Sequence, residues 1–133
     1  MRPREDLPVV SMGMIEDADG RVLICRRAST NADGSPWELP AAVARRRESP
    51  EAAMRRAARE GVALSVAIAI GQPPFRDEYD GRVAIYRFFV CRRTAGEARA
   101  SLPYSELRWI EPGQLIEYEY RPPVQSIVNW YVE

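Results

Sequence analysis

Histidine and lysine are both absent from the 133-residue sequence. Without histidine there is no imidazole acid–base chemistry and no His-containing zinc site. Without lysine there is no P-loop lysine and no Schiff-base lysine. All 19 basic residues are therefore arginines, set against 19 acidic ones, for a formal net charge of zero. A balanced chain has no wholesale electrostatic attraction to nucleic acid. An arginine-only complement has two readings, GC-rich codon usage or phosphate recognition by planar guanidinium groups. Cysteine is scarce as well. Cys25 and Cys91 lie in apolar, strand-like runs without a CxxC spacing, which predicts buried reduced thiols. No apolar run approaches the roughly 20 residues needed to span a bilayer, and "MRPREDLP" has no signal-peptide core. The expectation is a cytoplasmic protein without a membrane partner.

What is present fits one domain over residues 1–133, long enough to build a core without disulfide or metal staples. "LPVVSMGMIED" and "RVLICRR" read as strands joined by the turn "DADG", and "ASTNADGSP" as a polar loop. "WELP" is a short extended piece, because residues before proline avoid the helical region. "AAVARRRE" reads as a loop, followed by a helix with Ser49 as N-cap, Pro50 in the first position and Glu51 at the positive end of the dipole. That helix is expected to run to about Arg59–Gly61, with Ala53, Met54 and Ala57 packing inward. "VALSVAIAI" reads as a mostly buried strand, "GQPPFRDEYDG" as a polar turn, and "RVAIYRFFVCRR" as a long strand rich in β-branched and aromatic residues. "ELRWI" is a short strand, "EPGQLIEYEY" a short helix, and "RPPVQSIVNWYV" a closing helix opened by Pro122 and Pro123. The sum is α/β, an α/β/α sandwich with a mixed β-sheet and one central helix.

The stretches "GRVLICRR", "WELP", "ESPEAAMRRAARE" and "ELRWIEPGQL" together resemble a Nudix (MutT-like) domain, over about Val9 to Trp130. The family's signature is Gly, five residues, Glu, seven residues, then Arg-Glu-apolar-any-Glu-Glu-any-Gly-apolar. On this sequence Ala42 stands for the first Gly, while Glu48 and Arg56 match the Glu and the Arg. Ala57 replaces the next Glu, Ala58 fills the apolar place, and Glu60 matches the first of the paired Glu. Gly61 replaces the second, Ala63 replaces the last Gly, and Leu64 matches the final apolar residue.

The resemblance implies hydrolysis of a nucleoside diphosphate linked to another moiety, by water activated with Mg²⁺ or Mn²⁺. Positions 57, 60 and 61 are i, i+3 and i+4 on one helix and share a face, where carboxylates would hold hard cations. Here only Glu60 remains as a metal ligand, with Glu97 and Glu106 as possible helpers before the last strand. Asp77, Glu78 and Asp80 form another acidic cluster, read as a solvated turn. Restoring Ala57→Glu and Gly61→Glu is expected to rebuild the face, the second change also favouring the helix.

By the same resemblance Glu60, Arg56 and Glu48 are the candidate catalytic residues, with a second reading for Glu48 and Arg56 as the pair that ties loop to helix, and Arg56 is also placed to pair with Glu60. Around them Arg45, Arg46, Arg47, Arg55 and Arg59 make a surface that is acidic in relatives net positive, giving either an anion-binding patch or a solvated face. Arg27, Leu39 and Gln125 match positions that contact the nucleotide in relatives. Three functions are open at this stage. The first is a hydrolase of nucleotide-type diphosphates with weakened or lost metal-dependent activity. The second is an inactive domain binding a nucleotide or RNA through arginines. The third is a scaffold or partner subunit, including a homodimer, with "IVNWYV" and "EYEY" as contact surface.

Overall fold

The computed structural model describes residues 7–29, 35–79 and 81–133. Asp80, most of the loop "ASTNADGSP" and the N-terminal "MRPRED" lie outside the described residues. A single mixed sheet has the strand order β4-β6-β1-β2-β7, with β3 pairing β1 and β5 pairing β6. The strands are β1 (Val9–Glu16), β2 (Val22–Arg27), β3 (Ala41–Val43), β4 (Ser65–Gly71), β5 (Phe75–Tyr79), β6 (Arg82–Ala95) and β7 (Tyr104–Ile110). Helix α1 (Pro50–Val62) and helix α2 (Pro122–Tyr131) pack on opposite faces, and a 3₁₀ turn, Pro112–Glu117, precedes α2. The expected layers are therefore present.

Period-two alternation builds both cores at once. Met12 and Met14 of β1, Val22 and Ile24 of β2, and Phe88 and Val90 of β6 face Val124, Ile127 and Val128 of α2. Their neighbours Ile15, Leu23, Cys25, Phe89 and Cys91 face Met54, Ala57, Ala58 and Val62 of α1. Helix α1 forms where the sequence punctuates it. Ser49 accepts a hydrogen bond from the Ala52 N–H at 3.0 Å, Pro50 sits in the first turn, and Ala63 ends the helix in the left-handed region at φ 62°. The buried Ser11 hydroxyl donates to the Pro50 carbonyl at 2.8 Å, fixing the start of α1 against β1. A Cβ on Gly13 would lie 2.6 Å from the Sδ and Cε of Met54, so the end of that flexible side chain would have to shift to admit one.

Three sequence expectations change. The segment read as the loop "AAVARRRE" begins with β3, because Ala41–Val43 finds free edge positions beside Met12, Ser11 and Val10. The polar turn "GQPPFRDEYDG" contains β5, since Phe75 stacks on Tyr86 and pairing with β6 overrides the polar composition. The strand in "VALSVAIAI" is not mostly buried. It is the sheet's edge, with Val66 its only buried residue. Both cysteines are buried and free, and burial raises both thiols, Cys91 to about 12. No helix among the described residues is long and apolar enough to cross a membrane.

Candidate functional site

The loop after β3 and the helix α1 are joined by one ion pair. Arg56 Nε and Nη2 each donate to the Glu48 carboxylate at 2.9 Å, and Nη2 also donates to the Val43 carbonyl at 2.8 Å. The Arg45 N–H donates to Glu48 Oε1 at 2.9 Å. These bonds, the Arg56 side chain above all, hold the Glu48 carboxyl at about 2, well below its usual value. Only 12% of the Arg56 side chain is exposed, so its guanidinium is committed to the scaffold. Within this turn Arg47 adopts φ 65°, a left-handed conformation that costs an ordinary side chain free energy.

Glu60 is half-exposed, at 51%, and lies between two guanidinium groups, 3.5 Å from Arg56 and 4.0 Å from Arg45. Its two face-mates point inward. Ala57 and Gly61 are both buried, and Ala57 belongs to the core beneath α1. Tyr104 closes the space above Gly61. A Cβ added at position 61 would lie 2.9 Å from Tyr104 Cε2 and 3.3 Å from Cδ2. The ring is held from both ends. Its hydroxyl accepts the Ala41 N–H at 3.1 Å, while the chain before it is strapped to α1 by Arg99 N–H to Val62 O and Ser101 N–H to Gly61 O, each 3.0 Å. Burial raises the Tyr104 hydroxyl pKa, so it stays a neutral phenol.

Beside Tyr104 lies a second charged group that spacing alone does not reveal. Arg27, paired with Tyr104 across β2 and β7, donates from Nε to the buried Glu38 carboxylate at 2.9 Å. Arg121, at the N-cap of α2, approaches the same carboxylate at 3.3 Å. Gln125 follows one turn later and is half-buried, its amide donating to Asn129 Oδ1 at 3.0 Å. Leu39 is fully buried among core residues. Ligand contact there requires the overlying side chains to move.

The structure thus gathers Glu48, Arg56, Glu60 and Arg45 along one side of α1, with Arg46, Arg47 and Arg59 exposed nearby in sequence. It sends the proposed helpers elsewhere. Glu106 binds Arg26 at 2.7 Å and Arg108 at 3.2 Å, beside Trp37. Glu97 lines a separate cavity with Asp17, Asp19 and Trp109. Among the described residues, no group of three or more His, Cys, Asp and Glu is placed to hold a metal ion. Glu38, Arg121 and Tyr104 escape sequence reasoning. Only the fold brings these three together, from the segment before β3, the N-cap of α2 and the start of β7.

The family model described as NUDIX domain matches residues 6–131. No curated protein matches this sequence. Several solved structures share the fold. A MutT protein from Methanosarcina mazei Go1 is 16% identical, with 94% of this chain and 91% of that chain covered at a TM-score of 0.77. A NUDIX hydrolase from Nitrosomonas europaea is 15% identical, with 95% and 88% covered at 0.79. A C. elegans Ap4A hydrolase is 13% identical, with 94% and 95% covered at 0.75.

Proposed function

The chain belongs to the NUDIX domain family, and from that premise we propose that it binds nucleotide-type diphosphates through arginines, its metal-dependent hydrolysis weakened or lost. The observation that carries this reading is the closed face of α1: Ala57 in the core, Gly61 under the Tyr104 ring, and Glu60 alone between Arg45 and Arg56.

The family resemblance implies Mg²⁺ or Mn²⁺, and the residues here do not fit either ion. Hard cations need several oxygen ligands, roughly six for magnesium. One carboxylate is on offer, and two guanidinium groups already compete for it. At 4 Å a pair of like charges costs about 4 kcal/mol at the effective dielectric near a protein surface. A cation at Glu60 would meet that repulsion from Arg56 and Arg45 together. The side chains present can instead neutralise phosphate directly. Arg45, Arg46, Arg47 and Arg59 are exposed, and planar guanidinium donors match paired phosphate oxygens. Arg27, Arg121 and Gln125 supply polar groups for the remainder of a nucleotide, and the C. elegans relative is named for a nucleotide substrate. A cytoplasmic setting fits the two buried free thiols.

Calorimetric titration with nucleoside triphosphates, nucleotide sugars and dinucleoside polyphosphates tests this, run with Mn²⁺ and with a chelator. Binding should survive the chelator, turnover should be slight, and replacing Arg45, Arg47 and Arg59 by Gln should weaken binding and flatten its salt dependence. Rapid turnover with metal would overturn the loss of catalysis. Binding that ignores the three substitutions would reduce the arginine patch to a solvated face.

A further inference from the structure

We propose that β4 is an interaction edge for a second copy of this chain, two β4 strands pairing antiparallel about a two-fold axis so that one sheet runs through both copies. β4 ends the strand order, and β6 is the only strand it pairs with among the described residues. Its sequence, SVAIAIG, carries no charge and no proline. Soluble proteins protect exposed edges with such residues, or with bulges and covering loops, because unpaired backbone groups there recruit another strand. Here the register shifts between Ser65 and Val66 and between Ile68 and Ile70 are the only such device in the strand.

The ground beside this edge is also unusual. Ile70, Trp130 and Val132 are 50%, 44% and 41% exposed, three of the six large apolar side chains that the described residues leave open. Ile70 and Trp130 line one groove of about 590 Å³ together with Arg92 and Glu133. Glu16, in the same groove, is already engaged by the Tyr131 hydroxyl. Trp130 also borders a second, mostly apolar groove with Pro73, Phe75 and Ile127.

A second copy is the occupant that uses all of these features. A two-fold interface must be self-complementary. An antiparallel strand edge complements itself in hydrogen bonds. The α2 ends of both copies then fall on the same side of the continuous sheet. The exposed Trp130 is the kind of large amphipathic side chain that anchors interfaces.

The test is the mass of the full chain by sedimentation and light scattering over a range of concentrations. Wild type should be a dimer. Ala67→Asp, an exposed change in the middle of β4, sets two carboxylates near each other across the axis and should give monomers with an unchanged circular dichroism spectrum. Amide exchange provides a check that needs no mutation, since β4 N–H groups should lose protection on dilution. A wild type that stays monomeric at every concentration overturns the proposal. So does a dimer untouched by Ala67→Asp, or one whose β4 exchange ignores dilution.

Discussion

Replacing Gly61 by alanine sets two effects of known sign against each other. In the interior of a helix, alanine is better than glycine by about 1 kcal/mol. Against this, the new methyl would sit 2.9 Å from a ring carbon of Tyr104. Overpacking of that kind costs about 1–3 kcal/mol. The ring cannot simply swing aside, because its hydroxyl is bound to the Ala41 N–H and a lost hydrogen bond costs about 1 kcal/mol more. The net expectation is a destabilisation of about 1 kcal/mol. In a Tyr104→Leu background the contact is gone, and Gly61→Ala should then stabilise by about 1 kcal/mol. The coupling between the two sites is therefore about 2 kcal/mol, read from urea midpoints of the four proteins. A rise in midpoint for Gly61→Ala alone would refute the steric argument. The same geometry revises what the sequence led one to expect of restored carboxylates. Ala57→Glu with Gly61→Glu should not gain Mn²⁺ binding, since one side chain enters the core and the other enters the ring. Adding Tyr104→Ala should open the space and let the ion bind.

Glu48→Gln should lower the melting temperature at neutral pH while leaving ligand affinity nearly unchanged, because the pair it breaks joins loop to helix. The sign of its pH dependence follows from the depressed carboxyl: the contribution is full above about 4.5, the usual value, and is lost as pH falls towards about 2. Wild type and variant should therefore converge in acid, and a gap that stays constant through that window would show the Glu48 charge to be irrelevant. Arg47→Gly should raise stability by about 1 kcal/mol, since φ 65° strains a side chain but not glycine. A lower melting temperature in that variant would show that the Arg47 side chain makes up for its strain.

Local chemistry settled much before any tertiary contact. Ser49, Pro50 and Glu51 mark the start of α1, and alternating apolar residues mark β1, β2 and β6, because caps and periodicity act within a few residues along the chain. The family resemblance likewise implied the ion pair that Glu48 and Arg56 form. Other features depend on which segments meet. Ala41–Val43 became a strand only because β1 had an edge free beside it, and "FRDEY" only because β6 extended far enough to pair with it. β4 has the composition of a core strand, yet its place at the end of the sheet leaves it exposed. The candidate site divides the same way. The loss of two carboxylates can be read from Ala57 and Gly61, one residue at a time. That Tyr104 fills the vacated volume, and that Glu38 collects Arg27 and Arg121, depends on packing between segments more than 40 residues apart for Tyr104 and Gly61 and more than 80 for Glu38 and Arg121. Side-chain identity fixes what a residue can do, and only the folded chain decides what stands next to it.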